Sequence, residues 1–289
     1  MRDTGLTERF ERARPRLRAV AYRMLGSVDD ADDAVQEAWL RLSGTTADVD
    51  NLDAWLTTVV ARICLNMLRA RRSPPVEEFT DRLPDPIVDP PDGTIPEHQA
   101  LLADSVGLAL FVVLDTLPPD ERLAFVLHDV FAVPYDQIAP IVDRGPEAAR
   151  KLASRARGRI QAARPQPDGD LAAQRAVVDA FFAAGRDGDF ERLIAVLHPD
   201  VVLRGDFGGE RLRVITGADA VANQAKMYGG ADRDVREATI NGAAGAVIFM
   251  RNRPASVMAF TVVAGKVAAI DVLVDPERIQ RLDLSAVAG

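Results

Sequence analysis

The sequence predicts a multidomain protein: two all-α blocks followed by an α+β domain. Three observations carry that prediction. At 289 residues the chain is long for one domain. Proline-rich breaks interrupt it at Ser73–Glu97 and Pro165–Gly169. The apolar period changes after Asp170, from helical spacing to short β-branched runs bounded by glycine.

The first block reads as three helices. Phe10, Leu17, Val20, Ala21, Met24 and Leu25 follow 3–4 spacing. A second stripe runs through Val35, Ala38, Trp39 and Leu42, opened by Ser27 and Asp30 at the spacing of a capping box. A third helix covers Leu52–Arg72, with Trp55, Val59, Ile63 and Met67 on one side and Thr58, Arg62, Asn66 and Arg69 on the exposed side. The segment Ser73–Glu97 holds seven prolines and seven acidic residues. Proline removes backbone donors, so this stretch reads as an extended linker and neither a regular helix nor a central strand.

The second block reads as helices over Leu101–Leu117, Pro119–Phe131, Tyr135–Val142 and Pro146–Ala163. After Asp170, helices over Leu171–Arg186 and Asp189–Leu197 precede five apolar runs: VVLRGDFGG, RVITG, AVIFM, SVMAFTVVAG and KVAAIDVLVD. Helices first and antiparallel strands after make an α+β layout.

The formal net charge is −8, which argues against nonspecific nucleic-acid binding. The sign distribution says more. Between Asp136 and Arg164 seven basic residues stand against three acidic ones. On a helical wheel Ala149, Leu152, Ala153, Ala156 and Ile160 share one arc, which can pack on a core while the arginines meet phosphate. A short helix and a turn at Asp143–Gly145 precede Pro146, so the unit reads as a helix-turn-helix. Glu147, Arg150, Lys151 and Ser154 would then reach base edges, with Arg155 and Arg157 later on the helix suited to phosphate. Cys64 is the one cysteine, so no intramolecular disulfide can form, which fits a reducing cytosol. No apolar run is long enough to span a bilayer, and a cytoplasmic protein without cofactor or metal site is expected.

Taken together, AYRMLGSVDDADDAVQEAWLRL (Ala21–Leu42), LDAWLTTVVARICLNMLRARR (Leu52–Arg72) and LDTLPPDERLAFVLHDVFAVPYDQIAPIVDRGPEAARKLASRARGRI (Leu114–Ile160) resemble the extracytoplasmic-function (ECF) sigma factors of bacterial RNA polymerase. The first two resemble sigma region 2 and the third region 4. The fused C-terminal domain resembles that of the SigJ-like subgroup, a SnoaL-like domain of the NTF2-like cone fold. The resemblance implies region 2 at 1–72, a linker at 73–97, region 4 at 98–164 and the cone at 170–289. It implies no enzyme activity and two partners, core RNA polymerase and promoter DNA.

It also implies residue roles. Asp33, Gln36, Glu37 and Leu40 would dock on the clamp of the largest polymerase subunit. Thr58, Arg62, Asn66 and Arg69, with the loop Ser43–Asn51, would open and read the −10 element. Pro146–Arg164 would read the −35 element as duplex. LPDP (Leu83–Pro86) resembles a linker motif of the subgroup, with Arg82 where tryptophan is expected. GDFGGERL (Gly205–Leu212) and DPERIQRL (Asp275–Leu282) resemble its two C-terminal motifs. Asp206, Gly208, Gly209, Arg211, Asp275, Pro276 and Arg278 are therefore candidates for a regulatory contact of the cone with regions 2 and 4, replacing a separate anti-sigma factor.

Two other readings stay open on the residues alone. One is a helix-turn-helix regulator with a ligand-sensing cone. The other is a SnoaL-type enzyme with a helical appendage, for which Asp206, His198 and Asp271 would be the acid–base candidates.

Overall fold

The computed structural model describes residues 2–44, 51–71, 82–93, 95, 98, 107–163, 167–209, 212–227 and 233–287. The chain divides into two compact units. The first comprises Met1–Glu78, Gln99–Asp104 and Val113–Ala163, and the second Phe79–His98, Ser105–Val112 and Arg164–Gly289.

The first unit is helical. α1 (Arg2–Leu25), α2 (Val28–Ser43) and α3 (Leu52–Arg71) pack against one another. Ser27 caps α2, its hydroxyl accepting from the amide of Asp30. Asp30 makes no reciprocal bond of a capping box; its carboxylate pairs with Arg71 instead. That pair, with the Arg71 bond to the Leu25 carbonyl at 3.1 Å, ties the end of α3 to the α1–α2 corner. α4 (Leu108–Thr116) passes from the second unit into the first at Val113, and after it α5 (Pro119–Phe125) runs into a π-turn over Val126–Val130. The expected helix Pro119–Phe131 is thus split by a wider turn. α6 spans only Tyr135–Ile138, because a run of turns with Asp143 at φ 54° leads into α7, Pro146–Ala163.

The arginine of LPPDER joins the parts of this unit. Arg122 is 2% exposed, donates to the Arg23 carbonyl at 3.0 and 3.1 Å, and pairs with Asp115. A backbone oxygen at the end of α1 and a carboxylate before α5 thereby share one buried guanidinium.

Cys64 lies in the same core, fully buried, and burial pushes its thiol up to about 12. Alkylation of native protein at pH 8 should be slower than that of denatured protein by roughly a thousandfold, the ratio of thiolate present. A native rate within tenfold of the denatured one would contradict that burial. Linkage has the same sign. The folded thiol keeps a proton that the unfolded chain releases near 9.0, so this contribution to stability is complete below that pH and is lost as pH rises toward about 12.

The second unit is a seven-stranded sheet in the order β1-β4-β5-β6-β7-β2-β3. The strands are β1 (Val88–Asp89), β2 (Leu197–Asp206), β3 (Arg213–Thr216), β4 (Arg233–Ile240), β5 (Ala243–Met250), β6 (Arg253–Val263) and β7 (Lys266–Leu273). All neighbours are antiparallel except β2 and β7, which run parallel with Leu203 opposite Ile270. That exception corrects the expected all-antiparallel layout. It arises because α8 (Leu171–Asp187) and α9 (Phe190–Val196) deliver β2 to the far edge of the β4–β7 meander.

Both faces of the sheet are covered. Phe260 and Val262 of β6 pack with α8, α9 and α10 (Ala218–Met227), while Val257 and Ala259 face Val88, Leu108, Ile279 and Val287. Burial on both faces explains why β5–β7 read as near-continuous apolar runs. The proline-rich segment is a structural part of this unit, with β1 as an edge strand on β4, the one sheet position its prolines allow. Among the described residues no helix is long and apolar enough to cross a membrane.

Candidate functional site

Three places hold the residues picked out in the sequence. The first is a groove on the first unit. Asp33, Gln36, Glu37 and Leu40 of α2 line it with Ala34, Ile63 and Met67, and its volume is about 390 Å³. Leu40 is 57% exposed, an unusual position for a leucine. Ile63 and Met67 supply its apolar lining; Ile63 is buried, as the periodicity of α3 predicts, and Met67 is half-buried. Leu52, Leu56, Val60 and Cys64 of α3 are buried with Ile63.

The second is the pair of basic helices. On α3, Arg62, Asn66 and Arg69 are exposed, as expected. Thr58 is half-buried, and its hydroxyl donates to the Ala54 carbonyl at 2.9 Å. Two of these residues already have partners within the unit. Arg62 donates to the Pro140 carbonyl at 2.9 Å, and Arg69 pairs with Asp120 at 2.8 Å. On α7 the wheel is reproduced: Ala149, Ala153, Ala156 and Ile160 are buried, while Glu147, Arg150, Lys151, Ser154 and Arg155 are exposed. Arg157 is only half-exposed and pairs with Asp129 at 2.7 Å; the Asp129 hydrogen bond holds it more firmly in the charged form.

The third place lies in the second unit, where the three short motifs converge. Asp206 is 2% exposed at the end of β2. Its Oδ2 accepts from the Leu83 amide at 2.9 Å and from Arg278 at 2.5 Å, and its Oδ1 accepts from the Gly208 amide at 3.1 Å. Its backbone oxygen accepts from the amides of Val274 and Asp275. Arg278, on the short helix Pro276–Ile279, also binds Asp85 at 2.5 Å and the Leu83 carbonyl at 2.6 Å. Asp275 caps that helix through the Glu277 amide, and Pro276 occupies its first turn. Gly208 has φ +80°, and a Cβ there would lie 3.2 Å from the Asp275 carboxyl. LPDP, GDFGG and DPER therefore form one clasp. Gly209 (φ +108°) stands in open space beside it; Arg211 and the loop 45–50 fall outside the described residues, as do Arg72 and Arg164.

Asn241 completes the clasp and was not picked out beforehand. It is fully buried; its side chain accepts from the Ile87 amide at 3.1 Å, and its own amide donates to the Ile87 carbonyl at 2.9 Å. Asn241 and Gly242 both have positive φ and form the β4–β5 turn. An Asn-Gly pair is a strong hairpin signal that the sequence did offer.

Residues 9–73 match the Sigma-70 region 2 family and residues 108–160 match the Sigma-70 region 4 family. The chain is 38% identical to the ECF RNA polymerase sigma factor SigJ of Mycobacterium tuberculosis, over 93% of this chain and 91% of that protein. The chain belongs to the ECF RNA polymerase sigma factors. This sigma factor is also 34% identical to the probable ECF sigma factor SigI of the same organism, over 91% of each chain. Its fold matches the crystal structure of M. tuberculosis SigJ with a TM-score of 0.76 at 35% identity, covering 96% of this chain and 99% of that one. The architecture is the expected one: region 2 and region 4 helices, then an α+β domain in the C-terminal position. In these terms the groove and α3 belong to region 2, and α7 is the second helix of the region 4 helix-turn-helix. The bonds of Arg62 and Arg69 join region 2 to region 4.

Proposed function

We propose that this sigma factor rests in a closed form and that joining core RNA polymerase opens it. The observation that carries this reading is the engagement of Arg62 and Arg69 by Pro140 and Asp120 of region 4. A guanidinium bonded to a carbonyl or a carboxylate must exchange that partner before the same N–H groups can serve a nucleic acid. Reading a −10 element with Thr58, Arg62, Asn66 and Arg69 therefore requires region 4 to leave α3. A partner shifts such an equilibrium only by its differential affinity for the two forms, so polymerase must bind the open form more tightly.

The division into region 2 (1–72), linker (73–97), region 4 (98–164) and cone domain (170–289) is part of the reading. So is the regulatory role of Asp206, Gly208, Gly209, Arg211, Asp275, Pro276 and Arg278. The clasp fastens the linker at Leu83 and Asp85 to the cone domain, and in this reading that tether stands in for a separate anti-sigma factor. The domain is not catalytic in this reading, because its acid–base candidates have other work. Asp206 is held by Arg278, Asp271 by Arg204 at 2.6 Å, and the His198 ring accepts the Asp200 amide at the start of β2. Transcription initiation makes the cytoplasm its place of action. On α7, Glu147, Arg150, Lys151 and Ser154 read the −35 element, with Arg155 and Arg157 placed for phosphate.

The groove gives the direct test of polymerase docking. Leu40→Asp is expected to weaken binding to core polymerase by at least tenfold, the size of an interface anchor, measured by fluorescence anisotropy. Unfolding stability should change by no more than about 0.5 kcal/mol, since Leu40 is exposed. Undiminished binding and undiminished run-off transcription would remove the groove from the docking surface.

A further inference from the structure

We propose that Tyr135 is a positioning residue for −35 recognition, fixing the Arg150 side chain through its ring before DNA arrives. The inference rests on the reading above in which Arg150 meets base edges. It adds a residue that touches no base.

Tyr135 opens the first helix of the helix-turn-helix and contacts two side chains through its ring. The His128 ring stacks on it, with centroids 3.8 Å apart and planes 26° from parallel. The Arg150 guanidinium lies over the Tyr135 ring at 5.5 Å from its centroid. Arg157 of the same helix is held elsewhere, paired with Asp129 of the π-turn.

The stack is anchored from below. His128 sits in the π-turn Val126–Val130, and its Nδ1 is 3.0 Å from the Val133 carbonyl oxygen. A carbonyl can only accept, so Nδ1 carries the proton and the ring plane is fixed. The wider turn is closed by the Phe131 amide on the Val126 carbonyl at 3.2 Å. A fixed imidazole thus supports the phenol ring, and the phenol ring supports the guanidinium.

Exposed arginine is rich in rotamers, and bidentate recognition of a base edge requires one of them. An aromatic face under the guanidinium narrows the choice in advance, which is where preorganisation raises affinity. Arg155, exposed and without a ring beneath it in the described contacts, is the comparison within α7.

The test is a variant series in reconstituted holoenzyme with full-length sigma factor. The readout is discrimination, the ratio of Kd values for a linear duplex carrying the −35 element of a promoter it transcribes and for the same duplex with that element scrambled. Arg150→Ala is expected to lower discrimination about tenfold. Tyr135→Leu, which keeps apolar volume without a π face, is expected to lower it about fivefold. Tyr135→Phe, which keeps the face, should stay within about twofold of the parent. Tyr135→Leu combined with Arg150→Ala should match Arg150→Ala alone, because Tyr135 acts through Arg150.

Rescue by leucine as well as phenylalanine would make Tyr135 a packing residue and overturn the proposal. So would losses that multiply in the double variant. If Arg150→Ala itself leaves discrimination unchanged, the −35 reading fails, and that result is distinct from a failure of Tyr135 alone. Melting temperatures of the three single variants separate misfolding from loss of recognition, and the phenylalanine variant keeps the test decisive if the leucine variant is unstable.

Discussion

Replacing Arg278 with methionine is expected to destabilise the C-terminal unit by about 3–5 kcal/mol, the cost of removing one partner from a buried ion pair. The guanidinium is 5% exposed and the Asp206 side chain facing it 3%. Methionine fills similar volume but leaves the Asp206 carboxylate with two backbone amides and no cation. Asp85 and the Leu83 carbonyl lose the same partner. The released segment should then be cut by a nonspecific protease within Leu83–Asp89, where the parent is protected. Urea unfolding and mass mapping of the first cleavage products measure the two effects. If closure by the clasp competes with polymerase, affinity for core polymerase rises in the variant, because a larger fraction of molecules is already competent. A loss below about 1 kcal/mol with unchanged cleavage would mean that Asn241 alone holds the segment. A freed segment with unchanged polymerase affinity would separate the clasp from regulation.

The second large effect is expected at Arg122. Its removal as Arg122→Met leaves Asp115, whose side chain is 12% exposed, and the Arg23 carbonyl without their shared donor. The expected loss is again about 3–5 kcal/mol, now in the helical unit. Adding Asp115→Asn should recover part of it, since the stranded charge is removed. Cys64, buried in the same core, reports the change without a label. Its alkylation should accelerate in Arg122→Met and slow again in the double variant. Additive losses in the pair would show that Asp115 and Arg122 are not coupled.

Much of the molecule was legible because its local signals agree with its packing. The buried and exposed faces of α7 follow from the wheel, with Leu152 and Arg157 intermediate between them. The failures have specific causes. β4 begins Arg233, Asp234, Val235, Arg236, Glu237, and with four charges in five residues it offers no apolar run. Its second half, Ala238–Ile240, is buried only because β1 and β5 pair with it. The parallel pairing of β2 with β7 depends on a return across the whole sheet, and no local pattern encodes that. On α3, Ile63 is buried as its place on the wheel predicts, whereas Trp55, Val59 and Met67 of the same stripe are only half-buried, because Leu52, Leu56, Val60 and Cys64 take the core positions.

The candidate site divides in the same way. The motifs LPDP, GDFGG and DPER were visible as words, and the structure brings them onto one guanidinium. That Arg62 and Arg69 would be occupied was not visible. Their partners are a carbonyl and a carboxylate 78 and 51 residues away. Exposure on a wheel says which side chains can reach out, and only tertiary structure says what they reach.

The clasp also has a topological side. The bond from Arg278 to Asp85 joins residues 193 apart in sequence, and that from Leu83 to Asp206 joins residues 123 apart. All of region 4 lies inside the loop so closed. A covalent cross-link around a loop of that length would restrict the unfolded chain by about 4–5 kcal/mol. The restriction grows only with the logarithm of loop length, so insertions or deletions in the linker should scarcely change it. The clasp is noncovalent and places no such restriction on an unfolded chain; it closes the loop only while the C-terminal unit is folded. Region 4 is carried on a noncovalent ring whose fastening is three oxygens around one arginine, and such a ring can be opened and refastened without chemistry.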